Sequence, residues 1–180
     1  MAHRALRGEV NDMRAWKWAI CLVTLCGACN SQRLGSPAIA PEREAEIRRE
    51  VQEFAATVAR DVTQDGPAAW RKHFSEGPEF FMVSEGHLQF PNSASAIAGI
   101  QELRRTIKHL ELDWSDVRVD PLTPELAVMG AGWHEVVELA EGKRVEDTGY
   151  FTGIAEHRNG RWQFRNAHWS VPPAPSSAVP

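Results

Sequence analysis

Apolar residues return at helical spacing in the first half of this chain and at alternate positions in the second. Ile47, Val51, Phe54, Val58 and Val62 keep a period near that of a helix, which predicts an amphipathic helix from Glu42 to about Gln64. Glu44 and Arg48 form an i,i+4 pair on its polar side. At Asp65-Gly66-Pro67 the chain restarts, with the acid as cap and the proline in a first turn. Trp70 and Phe74 then make the stripe of a short second helix. Glu79 to Ser84 and His87 to Phe90 read as a hairpin turned at Glu85-Gly86. Ser93 or Ser95 caps a third helix, whose apolar side is Ile97, Ile100, Leu103 or Arg104, and Ile107.

The period then changes to two. Between Leu110 and Asp120 the apolar positions are 110, 112 and 114, then 117 and 119. The slip at Ser115-Asp116 predicts a β-bulge in a bent strand. After a turn at Pro121 to Glu125, three more long strands are expected: Leu126 to Leu139, Arg144 to His157 and Trp162 to Ser170. A sheet bent at a bulge can wrap around helices and leave a hollow. The expected class is α+β, a cone-shaped curved sheet wrapped around three N-terminal helices.

The chain of 180 residues is 43% hydrophobic, enough for one domain with a core. Its formal charge of −4 shows no basic excess, which argues against a nucleic-acid partner. Cys21, Cys26 and Cys29 all precede the folded body, which therefore has no disulfide and no thiol nucleophile. Arg14 and Lys17 come before the apolar run Trp18 to Ala28, too short to span a bilayer as a helix. Residues 1–28 read as an export signal, starting at Met1 or Met13. Leu25-Cys-Gly-Ala-Cys29 resembles a bacterial lipoprotein box, although Leu25 lies four residues before the cysteine instead of three. The resemblance implies lipidation of Cys29, with Asn30 directing the protein to the outer membrane, facing the periplasm; plain cleavage with secretion and an uncleaved anchor are the alternatives. Residues 29–41 read as a flexible tether and 173–180 as a disordered tail.

Asn159-Gly160 between two strand-like runs signals a two-residue type I′ hairpin. Continued without interruption, its register opposes Phe151 to His168, Gly153 to Asn166 and Gly149 to Ser170. Opposed residues share a face, so Trp162, Phe164, Asn166, His168 and Ser170 are expected to look into the hollow. Tyr150 and Trp169 then form an outward aromatic pair, either a homodimer interface or cross-strand packing covered by the linker or tail. In the strand before, a two-residue turn at Glu141-Gly142 turns His134 inward, whereas a longer loop turns Trp133 and Glu135 inward. That phase stays open.

The order of elements, Gly160-Arg-Trp162 and the ending His168-Trp-Ser170 resemble the nuclear transport factor 2-like superfamily, its SnoaL-like branch above all, over residues 42–172. The association domain of calcium/calmodulin-dependent protein kinase II ends similarly, with two histidines where Asn166 and His168 stand here. The superfamily includes isomerases, cyclases, dehydratases and non-catalytic modules, so the resemblance implies a fold more than a chemistry.

Two functions follow as expectations. One is a non-catalytic domain binding a small hydrophobic or mixed-polarity molecule, with Asn166, Ser170, Trp114, Trp133 and Phe151 lining the pocket beside His168. The other is an isomerase, dehydratase or cyclase with His168 as general base and a carboxylate from Glu135 or Asp113. No metal-ligand spacing or phosphate loop is visible, and no cofactor is expected.

Overall fold

A computed structural model describes residues 38–172. The export signal, Cys29, most of the tether and the tail lie outside the described residues. Helix α1 spans Pro41–Asp65, with proline at its start and Glu42 and Glu44 in the first turn, where negative charge suits the helix dipole. The expected stripe is its buried side: Ile47, Val51, Phe54, Val58 and Val62 are all buried. Arg48 donates to Glu44 at 3.1 Å, as the spacing predicts. Gly66, at φ 68°, ends the helix.

The second helix is short, as expected. A 3₁₀ turn, Gly66–Ala69, runs into the single turn α2, Trp70–His73. Asp65 makes no side-chain cap and instead pairs with Lys72 at 2.6 Å. Helix α3, Ser93–Thr106, is capped by Asn92 instead of by a serine. Asn92 accepts from the Ser95 backbone at 2.9 Å, and the Ser95 hydroxyl accepts from the Asn92 backbone at 3.3 Å. This is a reciprocal capping box, with serine as the third-residue partner. Among the described residues, no helix is long and apolar enough to cross a membrane.

Six strands follow: β1 (Phe81–Ser84), β2 (His87–Phe90), β3 (Ile107–Thr123), β4 (Leu126–Leu139), β5 (Arg144–Arg158) and β6 (Arg161–Ser170). Their order is β2-β1-β6-β5-β4-β3, an open mixed sheet in which only β1 and β6 run parallel. One face packs on α1, around Phe54, Phe151 and Phe164. The architecture is the expected α+β cone, with two long helices and one short one.

Three local features decide which side chains face inward. The β3 bulge lies where the alternation slips: register shifts between Ser115 and Arg118, and Asp116 has φ 50°. The β4–β5 connection is a three-residue loop, closed by Leu139 N–H donating to the Lys143 carbonyl at 2.8 Å. Its register opposes Trp133 to Gly149 and Glu135 to Asp147, which resolves the open phase in favour of Trp133 and Glu135 inward. The β5–β6 hairpin turns at Asn159-Gly160 with φ 54° and 77°, as type I′ requires.

That hairpin does not keep its first register. Arg158 opposes Arg161 and Ala155 opposes Phe164, but Ile154 opposes Asn166, so Arg165 is an extra residue in β6. Beyond this bulge each residue is displaced by one. Phe151 opposes Trp169, Thr152 opposes His168, and Tyr150 opposes Ser170. Ala167 and Trp169 therefore turn inward and His168 is exposed, the reverse of the expected arrangement.

Candidate functional site

The inward turn of Trp169 assembles an aromatic cluster contributed by five elements. Its ring stacks on Trp114 of β3 at 5.5 Å and meets Phe151 of β5 edge-on at 5.0 Å. It also meets Trp133 of β4 at 5.5 Å and Trp70 of α2 at 5.6 Å, both near perpendicular. Offset and edge-on contacts of this kind favour rigid packing beyond simple burial. The wall they make is stiff.

Beside this wall lies a cavity of about 430 Å³, bounded by Trp70, Phe74, Trp133 and Trp169, with Met82 from β1 and Ile100 and Leu103 from α3. Its volume is in the range of pockets that enclose small organic molecules. Polar groups gather on one side: Glu135, Asp147, and Ser84, Glu85, His87 and Gln89 from the β1–β2 hairpin. Asp147 and the hairpin groups from Glu85 to Gln89 are exposed at the rim, while Glu135 is half-buried further in.

Glu135 is the chemically distinctive group. Burial pushes its carboxyl up to about 7, and the like charge of Asp147, directly across the ladder, pushes the same way. Such a carboxyl can hold or release a proton near neutral pH. Trp133 is 7% exposed, and its indole N–H has no partner, nor does that of Trp114. His73, outside the cavity, is buried with its Nε2 at 3.2 Å from Asp61; burial holds its pKa below the usual value despite that carboxylate.

The expected site residues divide between the two faces. Trp133 lines the cavity, and Trp114 and Phe151 stand behind it in the aromatic cluster. Ser170 lies in an outer groove with Tyr150 and donates to the Tyr150 carbonyl at 2.9 Å. Asn166 and His168 share the face opposite Ala167 and Trp169. The bulge at Arg165 thus removes Asn166, His168 and Ser170 from the hollow. Asp113 is 80% exposed near His134, away from the cavity. Trp169 and Asp147, with the groups from α2, α3 and the β1–β2 hairpin, are site residues the sequence reading missed. Tyr150, 45% exposed, no longer has Trp169 beside it on the outer face.

Neither a family model nor a curated protein matches this sequence. Solved structures do. The chain is similar to a candidate scytalone dehydratase from Novosphingobium aromaticivorans, with 8% identity, a TM-score of 0.66, and 78% of this chain and 94% of that one covered. It is similar to a nuclear transport factor 2-like superfamily protein from Salmonella enterica serovar Typhimurium, with 14% identity, a TM-score of 0.57, and coverage of 77% and 97%. A candidate calcium/calmodulin-dependent protein kinase II association domain from Xanthomonas campestris is also similar, with 16% identity, a TM-score of 0.59, and coverage of 71% and 89%. At these identities the likeness establishes a fold.

Proposed function

We propose that this chain, which has the nuclear transport factor 2-like fold, binds a small, largely hydrophobic molecule in the cavity beside Trp133 and Trp169. The observation that carries this is a cavity of about 430 Å³ with aromatic walls and one half-buried carboxyl. The N-terminal sequence supports export, with Cys29 as a lipid anchor in the cell envelope. Binding without turnover is the reading we favour, because among the described residues lining the pocket no side-chain hydrogen bond joins a nucleophile to a base.

The test is a titration with Nile red, an uncharged dye whose emission rises in apolar surroundings. Binding should saturate at one site and be blocked by Leu103→Trp, which fills the mouth from an exposed position. Full binding by the Leu103→Trp protein, with its far-ultraviolet spectrum unchanged, would remove the cavity as the site.

Glu135 favours a second reading, proton transfer of the dehydratase or isomerase kind. The similarity to a candidate dehydratase lies in the same direction. Here Glu135, instead of His168, is the general acid or base. Loss of water from a hydroxylated substrate should then follow one ionisation near neutral pH, and Glu135→Gln should abolish it while the far-ultraviolet spectrum stays unchanged. Turnover that survives Glu135→Gln excludes this role.

A further inference from the structure

We propose that the occupant of this cavity is an organic cation, a quaternary or protonated amine on a hydrophobic body, held between the Glu135–Asp147 pair and the indoles of Trp133 and Trp169. This deepens the reading of the cavity as a binding site and rests on it.

The first argument is an unbalanced charge. Glu85, Glu135 and Asp147 line the cavity, no lysine or arginine does, and His87 is the sole basic side chain there. Glu135 and Asp147 are direct cross-strand partners on the cavity side, and like charges so placed repel. Neighbouring carboxyls on the same two strands have side-chain partners. Glu138 holds Lys108 at 2.5 Å, and Glu146 holds His134 at 2.9 Å. Among the described residues, neither Glu135 nor Asp147 has an ion-pair or hydrogen-bond partner. The ladder leaves unpaired the two carboxyls that face the hollow.

The second argument is the wall. Indole faces attract cations, most strongly where water is excluded, and aromatic cages with carboxylates are the recurring site for ammonium groups. Trp133 is more than nine-tenths buried, so a cation against its ring would be held away from bulk water. A metal ion suits the site less well. Among the described residues, no three histidine, cysteine, aspartate or glutamate side chains converge as a ligand set.

The experiment compares choline with 3,3-dimethylbutan-1-ol, which has the same shape and hydroxyl but no charge. Affinities come from tryptophan fluorescence of the full chain, with Nile red binding measured in parallel. Choline should bind at least tenfold more tightly than the alcohol. Glu135→Gln/Asp147→Asn should bring the two within about twofold with the far-ultraviolet spectrum unchanged. Equal affinities in the unmodified protein, or a preference for choline that survives the double substitution, overturn the cation assignment and leave the pocket standing. Binding of neither choline nor Nile red by the unmodified protein overturns the pocket reading itself.

Discussion

Phe151 lies directly across the ladder from Trp169, the two rings edge-on with centroids 5.0 Å apart. Phe151 is fully buried, so this pair joins the core to the cavity wall. Trp169→Ala should therefore cost about 3–5 kcal/mol, the usual range for a large aromatic truncated in a packed site. His168→Ala, one residue earlier on the exposed side, should change stability by less than about 0.5 kcal/mol. Urea unfolding of the two variants decides the point. A larger loss for His168→Ala would contradict the assigned faces.

Stability should fall as pH rises through neutrality. Glu135 has an ordinary value of 4.5 and is raised to about 7 in the folded state, so between these values the folded form binds more protons than the unfolded. The contribution is fully present below 4.5 and lost as pH climbs past 7, for a total of at most about 3 kcal/mol. Denaturation midpoints of the Glu135→Gln protein should lack this fall. Asp147→Asn removes the like charge and should move it to lower pH. A midpoint that rises between pH 5 and 8 and is unaffected by Glu135→Gln would contradict the burial of this carboxyl.

Gly149 sits opposite Trp133, and a Cβ there would lie 2.7 Å from two indole carbons and collide with the Ser170 carbonyl. Gly149→Ala should destabilise by about 1–3 kcal/mol through forced displacement of the backbone or the ring. Because Trp133 is the displaced ring, Nile red affinity should fall as well. Unchanged stability and affinity would show that the strand ends yield freely.

Asn92→Ala removes the acceptor for the Ser95 backbone at the start of α3. The loss should be about 1 kcal/mol. Ser93→Ala should have a smaller effect, since the Ser93 hydroxyl makes only a 3.4 Å bond to the Glu76 carbonyl. Thermal midpoints of the two variants separate the caps.

Much of the fold was legible because helix and strand periods are local. The stripe of α1, the Asn159-Gly160 turn and the Ser115 bulge each rest on a few adjacent residues. The β6 bulge carried the same signal as the one in β3. Apolar positions 162 and 164 give way to 167 and 169, with Arg165-Asn166 in the gap, yet strict alternation from the turn ignored the slip. The loop at residues 140–142 is different, because Ala140 N–H donates to the Thr106 carbonyl at the end of α3, 2.8 Å away. A contact between distant segments helps hold that loop, so nothing adjacent to Glu141-Gly142 could announce its length. The pairing of Glu135 with Asp147 followed from it and stayed hidden for the same reason.

The final strand hides an imidazole and a carboxamide on its outside solely because one arginine is accommodated without a partner opposite. Deleting a single codon there would exchange an indole lining for a histidine one while leaving every other amino acid in place. On a scaffold of this kind, a change in length could convert a binding wall into a proton-transfer wall in one step.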